Sequence, residues 1–195
     1  MAEARLFHFS EDDSIESFEP RPVELPSDRA QGQEWLNGPL VWAVEEAFQA
    51  TYLFPRDCPR ILIWPTSETS ATDLKEWWGD RTCSMIAHVE WRWLERIEQQ
   101  ILFRYEFATD QFERTEDSWM WVSKTVARPA RVDRIDDLLG ALRRADVELR
   151  IMKELTPLRE AWSTTMHSSG IRLRNASNWR SSSHNSDTPS NQIRR

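Results

Sequence analysis

The chain has 195 residues, a formal net charge of −7, 11 tryptophans and eight phenylalanines. That length suits one domain with a sizeable core, and the acidic balance argues against a nucleic-acid-binding surface, which draws its affinity from clustered Lys and Arg. No apolar run approaches the roughly 20 residues that a membrane span requires.

In chain order, residues 5–9 read as a short buried strand, Arg-Leu-Phe-His-Phe, running into the capping cluster Ser10-Glu11-Asp12-Asp13-Ser14. Ile15 and Phe18 are expected to anchor one helical turn before Pro20 and Pro22, and 19–38 reads as a surface loop with Trp35 as its one large anchor. Residues 39–44 form the second strand candidate, followed by a helix over 45–54 that Pro55 ends. Arg60 to Trp64, bounded by Pro59 and Pro65, is the third strand, and 66–80 a polar loop with a short helix.

Met85, Ile86, Val89, Trp93, Leu94 and Ile97 recur at three- and four-residue intervals, which predicts a helix over 84–99. Residues 101–107 alternate as a strand, and 119–123 with 130–135 suggest a strand pair around Pro129. Asp136 and Asp137 cap a further helix, with Leu138, Leu139, Leu142, Val147, Leu149 and Ile151 on its apolar face, extending toward Trp162 past Pro157. Residues 171–175, apolar and basic in alternation, read as a last strand. The sum is an α+β fold with a mixed, mainly antiparallel sheet and flanking helices. One globular domain is expected over 1–176, with a disordered Ser/Asn/Arg-rich tail over 177–195. Residues 171–195 hold five arginines and one aspartate, so the acidic body ends in a basic tail.

Two cysteines, Cys58 and Cys83, make neither a disulfide framework nor a metal knuckle, and reduced thiols in a soluble, cytoplasmic protein are expected. His88-Val89-Glu90 matches half of the zinc deaminase pattern but lacks its Pro-Cys-x-x-Cys partner. No Gly-x-Ser-x-Gly elbow is present, and five glycines are too few for a phosphate-cradling loop. No metal site is expected.

His8 is the first candidate residue, because an imidazole at a strand end can be held by one nitrogen and present the other to a ligand; a core histidine bonded to backbone is the competing role. Pro55-Arg56-Asp57-Cys58-Pro59-Arg60 puts two guanidinium groups in a stiff loop, where Arg56 and Arg60 suit a phosphate or carboxylate; the alternative is an Arg56–Asp57 loop network with Cys58 packed as a small hydrophobe. Arg172 and Arg174, two apart on the last strand, would share one face and form a second anion-binding candidate or a solvated face.

The order of parts, His8-Phe9-Ser10 on a strand, Ser14-Ile15 in a short helix, then Val41-Trp42-Ala43 and a helix with Ala47, Ala50 and Tyr52, resembles the first two motifs of the ADP-ribosyltransferase-like proteins. The resemblance implies NAD or ADP-ribose as ligand, His8 and Ser10 on its ribose, and Tyr52 near the nicotinamide. The family's later-strand glutamate is absent from 119–123; Glu116 and Asp117 precede that strand, and Glu106 lies one strand earlier. The whole chain is also similar to an uncharacterised, mostly bacterial family of small Trp-rich proteins through residues 6–12, 52–60 and 169–176. Two functions follow. One is a nucleotide site built from His8, Ser10, Tyr52 and Arg56. The other is a non-catalytic module that binds a protein or small anion through Trp and Arg residues.

Overall fold

The computed structural model describes residues 4–23, 26, 29, 31–116 and 119–179. Its strands are, in chain order, β1 Leu6–Ser10, β2 Val41–Glu45, β3 Arg60–Trp64, β4 Met85–Glu90, β5 Leu102–Phe107, β6 Glu113–Arg114, β7 Met120–Ser123, β8 Arg131–Ile135, β9 Val147–Met152 and β10 His167–Ile171. The helices α1 Ala71–Asp73, α2 Leu94–Gln99 and α3 Leu138–Arg144 are short, and several connections are 3-10 turns. The fold is α+β with two mainly antiparallel sheets, and none of the described helices is long and apolar enough to cross a membrane. The chain divides into two compact units: the described residues up to Gln49 with Ile101–Ile135, and Ala50–Gln100 with the described residues from Asp136 onward.

The first unit is one antiparallel sheet in the order β6-β7-β2-β1-β5-β8. Alternation along β1 sends Leu6 and His8 to one face and Phe7 to the other. On the first face Leu6, Val41, Ala43, Tyr105, Phe107, Phe112 and Ala127 form a core cluster, closed over by Ile15 and Phe18. Phe18 belongs to no helical turn. Its backbone bridges Ala127 through bonds of 2.8 and 3.0 Å, which sets its ring edge-on to Tyr105 and Phe107. Phe7, on the opposite face, is wholly buried and contributes about 1.5–3 kcal/mol by leaving water.

The second unit is the four-stranded sheet β10-β3-β4-β9, parallel only between β4 and β9. Every residue of β3 and β4 is buried. This explains a first correction: residues 85–90 are strand, and only 94–99 of the expected helix is α-helical. A strand covered on both faces loses its period-two signature, so the apolar spacing through Met85, Ile86 and Val89 imitates a helix.

The expected long helix after Asp137 is also shorter. Asp137 caps α3 by accepting from the Gly140 N–H at 2.7 Å, but Asp146 takes φ of 57° and turns the chain into β9. The helix over 45–54 is a 3-10 turn, Glu46–Tyr52. The strands β7 and β8 exist where expected but do not pair; β7 lies between β2 and β6, whereas β8 lies on β5.

The last strand is displaced. It covers His167–Ile171, pairs with β3, and ends before Arg172, which adopts φ of 54°. Gly170 permits this, since a Cβ there would meet Trp162 and Leu173 at under 3 Å. Residues 173–175 are a 3-10 turn, so Arg172 and Arg174 do not share a strand face. Of the expected tail, residues 180–195 lie outside the described residues.

Candidate functional site

His8 sits on a central strand of the first unit. Its Nδ1 lies 2.9 Å from the Trp42 carbonyl, and its ring tilts against Phe18 at 4.7 Å. The scaffold therefore holds the Nδ1 nitrogen, which is common to both roles set out for His8, the ligand contact and the core histidine bonded to backbone. The buried Ser10 hydroxyl accepts from the Asp12 N–H at 3.1 Å, which ties it into the turn that follows β1. Glu106 is bonded by Arg5 through both carboxylate oxygens, at 2.9 and 3.0 Å, and this guanidinium holds its carboxyl below the usual carboxylate range. It braces β5 against the N-terminal segment rather than lying on a bare solvated face.

Tyr52, Arg56, Arg60, Arg172 and Arg174 all belong to the second unit. Arg60 opens β3 and faces Val89 of β4 on one side and Ile171 of β10 on the other. The start of β3 and the ends of β4 and β10 therefore meet at one edge of the sheet. Arg60 is only 2 % exposed. Its Nε donates to the Thr51 carbonyl at 2.8 Å and its Nη1 to the Cys58 carbonyl at 2.9 Å. Its guanidinium also lies over the Phe54 ring at 5.3 Å and the Tyr52 ring at 5.8 Å.

Among the described residues no carboxylate pairs with Arg60, and its Nη2 makes no hydrogen bond. Burial drives the guanidinium down to about 10, and the positive charge of Arg172 pushes the same way. Two bonds from a charged donor contribute about 3–6 kcal/mol. Removing the cation from water costs several kcal/mol, so these terms roughly cancel and an added anion would tip the balance.

The neighbours extend this picture. Burial raises the Tyr52 hydroxyl, and the positive charges of Arg60 and Arg172 oppose the shift. Arg172 occupies the left-handed region, which costs about 1–2 kcal/mol for a residue with a Cβ. Arg56 and Arg174 are exposed. Arg56 and Arg60 therefore do not act as equivalent jaws, as their spacing suggests, because the turn buries one and leaves the other in solvent. Cys58 is fully buried, and burial pushes its thiol up to about 12, so it packs as a small hydrophobe.

Sequence reasoning named Glu90 only as part of an incomplete deaminase pattern and missed its buried place. It ends β4, is fully buried, and accepts from Arg92 Nε at 2.8 Å and from the Ser177 N–H at 2.8 Å and Oγ at 3.2 Å. The signal was an acid closing the apolar run 85–89, hidden when that run was read as helix. These partners use its oxygens, and Arg60 goes without them.

A second arginine-bearing surface runs along α2, where Arg92, Glu95, Arg96, Gln99 and Gln100 line an open groove of about 370 Å³. Trp91, 61 % exposed, precedes it. His88 and His167 are buried, and desolvation takes both imidazoles down to about 4. Among the described residues no group of three or more His, Cys, Asp or Glu is arranged to hold a metal ion.

Comparison with curated proteins and with solved structures finds no match. A family profile does match, over residues 7–176, from just before His8 to the turn that carries Arg172 and Arg174. The chain belongs to the family of unknown function DUF6886.

Proposed function

We propose that this DUF6886 chain binds a small anionic ligand, phosphate- or carboxylate-bearing, in its second unit. In this reading Arg60 is the buried cationic anchor, Arg172 and the Tyr52 hydroxyl complete the first contacts, and Arg56 and Arg174 meet the ligand from the solvent side. The observation that carries the reading is the nearly inaccessible Arg60, which has two carbonyl partners but no carboxylate among the described residues. Buried arginines are ordinarily paired with acids, and a planar guanidinium with an open edge matches a phosphate or carboxylate fork. NAD and ADP-ribose belong to this ligand class through their pyrophosphate. The ribose role of His8 and Ser10, which belong to the first unit, is not part of this reading.

Calorimetric titration with inorganic phosphate, ADP-ribose and NAD tests the proposal. Phosphate binding is expected with a Kd of about 1 mM or tighter, equivalent to roughly 4 kcal/mol. Arg60→Lys keeps the charge but loses the fork, and weakens phosphate at least about tenfold. Absence of heat for all three ligands at about 10 mM would reject the reading. Tighter binding of ADP-ribose than of inorganic phosphate, lost in Arg60→Lys, would favour the nucleotide version. The interaction-module alternative draws on the exposed Trp91 beside the arginine groove, and predicts a protein partner lost in Trp91→Ser with phosphate binding intact.

A further inference from the structure

We infer that Glu90 is the positioning residue of the anion site, acting through a C-terminal strap that it holds closed over the Arg60 edge of the sheet. This rests on the anion-binding reading above. The strap runs from Arg172, through the 3-10 turn Leu173–Asn175, to Ser177. Three sets of bonds fasten it. Glu90 receives the Ser177 amide and hydroxyl, Arg92 bonds Glu90 and donates through Nη2 to the Asn175 carbonyl, and the Asn175 side chain donates to the Asp57 carbonyl at 2.8 Å.

The consequences follow from where these atoms sit. Asp57 belongs to the same tight turn as Arg56 and Cys58, and the Cys58 carbonyl is a partner of Arg60. The strap therefore joins the two segments that carry Arg56 and Arg172, with Arg60 fixed on the strand between them. Its interior anchor is a carboxylate with no exposure, whose charge only Arg92 offsets among the partners named. A buried ionic hub of this kind contributes little net stability against an apolar replacement, but it fixes one geometry, because no other arrangement satisfies the charge. An acid beside a proposed anion site would ordinarily repel the ligand. Here its oxygens are turned to the strap, which converts a liability into a device for placing Arg172 and Arg174.

If the strap orders the cations, ligand binding and strap closure share one coupling factor, and each must strengthen the other. Amide exchange at Ser177, whose N–H is bonded to Glu90, reads closure directly, whereas phosphate titration reads the site. In the full chain, saturating inorganic phosphate is expected to slow Ser177 exchange, and Arg172→Gln to abolish that response. Glu90→Gln is expected to speed Ser177 exchange and weaken phosphate about tenfold, the size of effect expected when a hydrogen-bonded charge is removed. Glu76→Gln, at an exposed acid outside both the strap and the α2 groove, is expected to change neither. Should Glu90→Gln not fold, Asn175→Ala removes only the bond to Asp57 and is expected to weaken phosphate about fivefold. Phosphate binding unchanged in a variant whose Ser177 exchange is accelerated would overturn the positioning role and leave the anion site standing. Failure of the wild-type chain to bind phosphate at all would overturn both.

Discussion

Arg60 of the second unit is treated differently from Arg5 and Arg104 of the first, although other arginines of the second unit, Arg81, Arg92 and Arg150, do meet acids. In the first unit Arg5 meets Glu46 and Glu106, and Arg104 bonds Asp133 at 2.8 Å and Gln49 at 2.9 Å while stacking 4.6 Å above the Phe7 ring. Each of these cations is partly exposed and still has an acid. In the second unit the most buried arginine, Arg60, has only carbonyls, and the fully buried acid on the adjacent strand, Glu90, is committed to Arg92 and Ser177. Arg5 and Arg104 each meet an acid, although the buried Arg104 Nε makes no hydrogen bond, whereas Arg60 meets only carbonyls and rings. The anion site proposed above rests on that difference rather than on a motif.

The largest expected effect concerns the histidines, and it tests whether the second unit is as tightly buried as this contrast requires. His88 and His167 titrate near 4 in the folded chain, below the ordinary 6.5, because desolvation disfavours the imidazolium. The unfolded chain then binds the extra protons, so their stabilisation is complete above pH 6.5 and is lost as pH falls toward 4. Urea midpoints at pH 6.5 and pH 5 should differ by about 2 kcal/mol for each histidine, and His88→Gln should remove about half of the difference.

Next in size, Arg60→Met strands the Thr51 and Cys58 carbonyls and is expected to destabilise the chain by about 2–4 kcal/mol in urea. Phosphate at about ten times its Kd should stabilise the wild type by about 1.4 kcal/mol, and Arg60→Lys should lose that response. In the first unit, Arg5→Gln breaks a half-exposed pair and should cost about 1 kcal/mol or less, with the phosphate response intact. A first-unit variant that abolished the response while a second-unit variant kept it would reverse the contrast. At the smallest scale, Tyr52→Phe removes one hydroxyl and should weaken phosphate severalfold without a change in urea midpoint.

The legible parts of the fold were those in which one local rule dominates. Pro59 and Pro65 bracket β3, alternation marks β5, and Asp137 caps α3 as its type suggests. The illegible parts depend on partners distant in sequence. β4 is covered on both faces and so resembles a helix, Asp146 turns the chain through a positive φ that few side chains advertise, and Gly170 sits inside β10 because Trp162 and Leu173 take the space of a Cβ. The same division holds for the site. Arg60 and Arg172 were identifiable as anion-binding residue types, and Tyr52 only as a ring contact through the resemblance, but not which of them would be buried or which would lack an acid. Glu90 was seen only as part of an incomplete deaminase pattern, since its bond to Ser177 spans 87 positions of sequence.

The central claim is that Arg60, and neither Arg5 nor Arg104, awaits an anion. NMR of the arginine Nε–H groups during titration with inorganic phosphate tests it most directly, since the Arg60 Nε–H is bonded to the buried Thr51 carbonyl and should exchange slowly. A saturable shift of the Arg60 resonance, with Arg5 and Arg104 unmoved, is the expected result. An Arg60 signal that stays fixed up to about 10 mM phosphate, or that moves no more than the exposed arginines, would contradict the account.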